Sequence, residues 1–228
     1  MRVILFGATG MVGQGVLREC VLDSDVEAVV SVVRRASGPS LGRRSEKVCE
    51  VVTDEFYDFS RVEGEFAGFD ACFFCLGVSS VGMKEDGYRW VTFDLTMAAA
   101  QAVLRQNPTS ASGGMTFIYV SGAGTDSTEH GRVMWARVKG ATENALLSME
   151  FKAAYMFRPG AIVPLHGITS KTKLYRVAYT VLRPFLPLLL RRFPQYVTTT
   201  EQVGRAMLAV AKRGYPKPVL EAVDIANA

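Results

Sequence analysis

The feature that most limits the fold lies at the start of the chain. There the apolar run RVILF (2–6) meets GATGMVG (7–13), which passes into the helical stretch MVGQGVLRECVL (11–22). A short apolar run closed by glycine reads as a buried strand. Gly7, Gly10 and Gly13, set between strand and helix, serve three separate needs: a tight turn, room for backbone to approach a diphosphate, and close packing of helix on strand. The free amides at the helix start then face the anion. A turn of purely structural purpose is the alternative.

The same alternation continues along the chain. EAVVSVV (27–33), KVCEVVT (47–53), DACFFCLG (70–77), GMTFIYVSG (114–122) and AAYMFRPG (153–160) read as five more strands. The stretches YRWVTFDLTMAAAQAVLRQ (88–106), ended by Asn107-Pro108, and VMWARVKGATENALLSM (133–149) read as helices. Strands spaced for crossover helices imply an α/β, doubly wound parallel sheet with both faces covered, the Rossmann fold that binds NAD(P). With 228 residues, one such domain over 1–228 is expected. Past residue 160 the pattern turns irregular, then gives one helix, TTTEQVGRAMLAVAKRG (198–214), opened by a threonine cap and closed by glycine. Residues 164–228 are expected to form a small C-terminal helical cap on the substrate side.

At the end of the second strand an acidic residue would grip the ribose hydroxyls of NAD, and this chain has Arg34 and Arg35 instead. Guanidinium groups pair with the 2′-phosphate of NADP and stack on adenine, so NADP (NADPH) is favoured over NAD. Arg43 and Arg44 read as ordinary solvated loop charge, and so could the first pair. The formal charge of +4 is too small to suggest nucleic acid. Cys72 and Cys75 form a C-x-x-C within a strand, so their thiols should point to opposite faces, unsuited to a disulfide or a metal pair. Cys20, Cys49, Cys72 and Cys75 read as reduced thiols of a cytoplasmic protein, and no His or Cys cluster has metal-ligand spacing. The apolar part of the N-terminus is short for a signal peptide.

With GATGMVG, Arg34-Arg35, strands ending CLG and YVSG, then W-x-x-x-K and FRPG, the chain resembles the short-chain dehydrogenase/reductase superfamily over roughly residues 2 to 165. It is similar to the atypical, epimerase/dehydratase-like branch and to the Tat-interacting oxidoreductase-like proteins. The resemblance implies a pyrophosphate loop of Gly7, Thr9, Gly10, Met11, Val12 and Gly13. It implies Arg34 and Arg35 at the adenosine phosphate, and Cys75, Leu76 and Gly77 on the adenine-ribose side. Ser121 would orient a substrate carbonyl, and Lys139 would bind the nicotinamide ribose. Pro159, Gly160, Ala161 and Ile162 would pack along the nicotinamide, their amides on its carboxamide. Ser121 could instead be only a polar strand end, and Lys139 a surface lysine paired with Glu143.

The family's catalytic tyrosine is replaced by Trp135, four residues before Lys139. Indole offers an N–H but cannot cycle a proton. Three readings stand: an oxidoreductase or epimerase-like enzyme on a carbonyl or hydroxyl compound, with its proton from Ser121, Tyr88, Tyr119, His130 or water; an NADPH-binding regulatory or scaffold protein with Trp135 closing the cleft; or a protein using neither cofactor nor chemistry. Residues 171–193 are apolar with basic flanks and are broken by Pro184 and Pro187, which makes a poor spanning helix. A lid over an apolar small-molecule substrate, a homodimer contact and a membrane-surface contact are the three uses such a segment has.

Overall fold

A computed structural model describes residues 1–36, 46–109, 113–168 and 196–228. Arg43, Arg44 and the apolar segment 171–193 lie outside the described residues. The elements are β1 (Arg2–Phe6), α1 (Met11–Leu22), β2 (Ala28–Val33), β3 (Val48–Val52), a 3-10 turn (Glu63–Phe66) and β4 (Ala71–Phe74). There follow α2 (Glu85–Arg89), a π-helical turn (Trp90–Asp94), α3 (Leu95–Gln106), β5 (Thr116–Val120), α4 (Met134–Leu147) and β6 (Ala153–Arg158). The chain then forms β7 (Ala161–Val163), β8 (Val197–Thr199), α5 (Thr200–Arg213), β9 (Val219–Glu221) and α6 (Ala222–Asn227).

Seven strands form one parallel sheet in the order β3-β2-β1-β4-β5-β6-β9. The chain moves outward from β1 to β2 and β3, then returns to the other side of β1 as β4. That reversal opens a crevice at the carboxyl ends of β1 and β4, where ligands of open α/β sheets bind.

Side-chain alternation decides what each face packs against. Val3 and Leu5 of β1, with Ala71 and Phe73 of β4, join Val16, Leu17, Val203 and Met207 of α1 and α5. Ile4 and Phe6, with Cys72 and Phe74, join Ala99, Val103 and Leu146 of α3 and α4. A strand buried on both faces has no place for polar residues, which is why these runs read as continuously apolar. Cys72 falls in the second cluster and Cys75 packs against the first, so the two thiols are on opposite sides of the sheet. Both are free, and burial pushes both up, as it pushes Cys20 up to about 12.

The described tail builds into this layered core. The Thr199 hydroxyl accepts the Gln202 amide and the Gln202 side chain accepts the Thr199 amide, a capping box that starts α5 where the threonine run suggested a cap. Gly214 ends the helix. β9 adds the seventh strand, and α5 lies against α1 so closely that a Cβ on Gly15 would sit 2.6 Å from the Thr200 Cβ. β7 and β8 pair in parallel beside the main sheet.

Candidate functional site

The loops after β1, β2, β3 and β4 enclose a cleft of roughly 390 Å³ with the π-helical turn and the start of α3. Its floor is the glycine turn. Gly7 has φ +87°, and a Cβ there would sit 2.7 Å from the Cys75 carbonyl carbon, so the turn is pressed against the end of β4. The Gly10 amide donates to the Gly7 carbonyl at 2.9 Å and closes the turn. A Cβ on Gly13 would lie 2.0 Å from that same carbonyl oxygen, so the first turn of α1 rests directly on the loop. Gly10 is the N-cap of α1 and supplies no side-chain cap, which leaves the Met11–Gly13 end of the helix open to an anion.

Gly7, Thr9, Gly10, Arg34, Cys75, Leu76 and Gly77, all expected site residues, line this one cleft. Arg35 is exposed beside Arg34, outside the lining. The opposite wall was not foreseen: Asp54, Phe56 and Tyr57 follow β3, and Val91 and Leu95 come from the helix. Tyr57 stacks on Trp90 with ring centroids 4.2 Å apart. The signal was the run DEFYDF directly after the carboxyl end of a parallel strand. The π-helical turn shifts the phase of the helix and brings Val91 and Leu95 to the same opening; such bulges recur at functional sites.

The second group, Ser121, Trp135, Lys139 and Pro159 to Ile162, gathers beyond β5 and β6 and is not part of that lining. Ser121 is buried. Its hydroxyl donates to Glu143 Oε1 at 2.5 Å and contacts the Phe157 carbonyl at 3.1 Å, so its proton is committed within the fold. Lys139 donates from Nζ to the Ser121 carbonyl. It is partly buried rather than a surface lysine, and desolvation pushes its ammonium down to about 8 while Glu143 opposes the shift. The edge of the Trp135 indole lies against Gly124, where an added Cβ would be 3.6 Å from Cη2. The Ala161 amide, expected on a carboxamide, donates instead to the Tyr196 carbonyl at 2.8 Å. Gly160 is pressed on that same carbonyl, 2.1 Å from where its Cβ would be.

Of the expected proton donors, Tyr119 and Tyr88 are buried, with phenols pushed up by desolvation. His130 is exposed in the 126–131 turn, which Asp126 organises by accepting the Thr128 and Gly131 amides.

Glu143 and Arg158 are the functional-looking pair that the sequence did not flag. Glu143 is 1% exposed and Arg158 12%. Arg158 Nη2 reaches Glu143 Oε2 at 2.5 Å and Nε reaches both oxygens, at 3.1 and 3.2 Å. Nη1 continues to Glu221 on β9 at 3.3 Å. Each had a separate hint, Arg158 as the charged end of the apolar strand within FRPG and Glu143 as a possible partner of Lys139, but nothing in the sequence joined the two. Arg158→Ala leaves a buried carboxylate without its cation and should cost about 3–5 kcal/mol. Urea unfolding checks the loss, and a change under 1 kcal/mol contradicts it.

No protein-family model matches the chain. Protein FMP52 of Meyerozyma guilliermondii is 25% identical over 218 residues, covering 92% of this chain and 85% of that protein. Protein HTATIP2 of Rattus norvegicus is 26% identical over 168 residues, covering 71% of this chain and 62% of that protein. Among solved structures, WbmF of Bordetella bronchiseptica in complex with NAD+ superposes with a TM-score of 0.64 at 15% identity, covering 99% of this chain and 76% of that one. A short-chain dehydrogenase/reductase from Saccharomyces cerevisiae gives 0.66 at 13% identity over 99% of this chain and 98% of that one. The chain shares the doubly wound Rossmann fold of these solved structures. One expectation is corrected. FMP52 relatives from five fungi are named as mitochondrial, against the cytoplasmic location read from the sequence. Reduced thiols and a short apolar start do not separate the two compartments, so that reading had no physical means of choosing.

Proposed function

We propose that the chain binds NADP(H) in the cleft above β1 and β4 and acts as an oxidoreductase or epimerase-like enzyme on a small carbonyl or hydroxyl compound. The observation that carries this reading is the convergence of the uncapped α1 N-terminus, the Gly7–Gly10 turn and Arg34 on one opening. A diphosphate would sit on the free amides at the start of α1. The glycines present those amides by letting the turn, the end of β4 and the first turn of the helix pack closer than any Cβ would allow. Arg34 would pair with the 2′-phosphate. Asp54 would accept from the adenine amino group, with the ring against Phe56, Val91 and Leu95. Lys139 would bind the nicotinamide ribose. The bound nicotinamide supplies hydride chemistry; the chain supplies position and proton control. The NAD+ complex of WbmF and the oxidoreductase fold of the other neighbours support a nicotinamide dinucleotide, and the choice of NADP rests on Arg34.

A second reading has its own support: Trp135 cannot give a proton, and the hydroxyls of Ser121, Tyr88 and Tyr119 are buried or committed. In that reading NADPH is held without fast turnover. A panel of aldehydes, ketones and quinones separates the two by steady NADPH oxidation. Restoring the acid with Trp135→Tyr should raise the rate by about 100-fold, the contribution of a placed general acid. An unchanged or lower rate would mean that the proton is supplied elsewhere.

A further inference from the structure

Ser121 is held at both ends. Its carbonyl takes the Lys139 ammonium and its hydroxyl is given to Glu143, which stands one helical turn after Lys139 on α4. Lys139 and Glu143 make no direct ion pair, so the carboxylate acts on the ammonium through Ser121 and through space. Arg158 fixes Glu143 with its Nε and Nη2 and is itself tied to Glu221 and to the Ser127 hydroxyl. The Glu143 carboxylate thus ties α4 to the residue after β5 and to β6, and Arg158 carries the link on to β9. Among the described residues the charged group that acts on Lys139 is Glu143 on its own helix; Arg158 on β6 and Tyr119 on β5 face Glu143 in turn, and Glu221 on β9 faces Arg158.

From this geometry we infer that Glu143 is a positioning residue: anchored by Arg158, it fixes both the place and the charge of the Lys139 ammonium. The assignment rests on the nicotinamide-ribose role proposed above for Lys139, but the contacts themselves do not. A buried amine has two tendencies, to turn away toward water and to lose its proton. The Ser121 carbonyl opposes the first by accepting the ammonium, and it is held in place because Glu143 holds the other end of the same residue. The Glu143 charge opposes the second. Arg158 is a cation and pushes the other way, so the carboxylate must outweigh it at the amine, which its place on the same helix face allows.

The test is the pH dependence of Lys139 acetylation, read peptide by peptide with trace acetic anhydride, on the wild-type chain and on Glu143→Gln and Glu143→Asp. Wild type should label with a midpoint near 8. Glu143→Gln keeps the shape and one Ser121 contact but removes the charge, so its midpoint should fall by about one pH unit. Glu143→Asp should restore it toward wild type. If the glutamine variant does not fold, Glu143→Gln combined with Arg158→Met removes the stranded cation, and its midpoint is read against that of Arg158→Met alone so that the loss of the cation cancels. A single glutamine variant with the wild-type midpoint, or a combined variant with the midpoint of Arg158→Met alone, overturns the inference, because a merely structural glutamate would leave the titration alone. NADPH added to the wild-type reaction tests the other layer: protection of Lys139 supports its ribose role. No protection alongside a shifted midpoint sinks that role and leaves Glu143 as the residue that sets the lysine.

Discussion

Gly13→Val should abolish NADPH binding while leaving a chain that still folds, at least about 100-fold weaker by fluorescence titration. The reason is spatial. A Cβ at Gly13 would stand 2.0 Å from the Gly7 carbonyl oxygen and 2.6 Å from its carbon, far inside contact distance, and both are backbone atoms that cannot swing aside. The first turn of α1 must then lift off the loop. The Gly10 amide loses its bond to the Gly7 carbonyl, and the helix amides no longer point where the diphosphate would lie. Overpacking of this kind costs about 1–3 kcal/mol of stability. Gly64→Ala is the control, since a Cβ there meets nothing within 4 Å and it stands outside the cleft. Binding by Gly13→Val at wild-type affinity would mean that the glycine turn is no phosphate cradle.

Arg34→Glu should reverse the preference between the two pyridine coenzymes. Arg34 lines the cleft next to the end of β2, and a dinucleotide's adenosine ribose belongs at that strand end. A guanidinium there meets the doubly charged 2′-phosphate with bonds worth about 1.5–3 kcal/mol, whereas a carboxylate repels it and accepts from free ribose hydroxyls. NADPH affinity should fall about 30-fold or more and NADH affinity should hold or rise. Because Arg34 is exposed, the effect should shrink at high salt. Equal losses for both coenzymes would mean that Arg34 shapes the cleft without reading the phosphate. Arg35, exposed beside it and outside the lining, should matter less.

How much of this was written in the sequence depended on how local each signal was. α1 begins at Met11 and ends at Leu22 as its apolar spacing and glycine loop suggested, because turn, cap and periodicity all lie within one stretch. β1 runs over Arg2–Phe6 as read, whereas the other strands came out shorter at their ends: β4 covers Ala71–Phe74 of the apolar stretch 70–77, since pairing with β1 and β5 stops there and Cys75 to Gly77 turn toward the cleft. The α5 cap was legible as a threonine run, but the close crossing of α1 and α5 at Gly15 and Thr200 was not, because it joins residues far apart in the chain. The same holds for Ser121. As a strand-end hydroxyl it looked available, and only the fold shows Glu143 accepting its hydrogen bond. Asp54, Phe56 and Tyr57 were passed over although DEFYDF directly follows a strand, because which strand ends face the crevice follows from the reversal of strand order at β1.

Isothermal titration calorimetry of the purified chain with NADPH and NADH tests the cofactor assignment most directly. Saturable one-to-one binding of NADPH, at least about 10-fold tighter than NADH, is the expected result. Absence of heat with either coenzyme, or a clear preference for NADH, would contradict it.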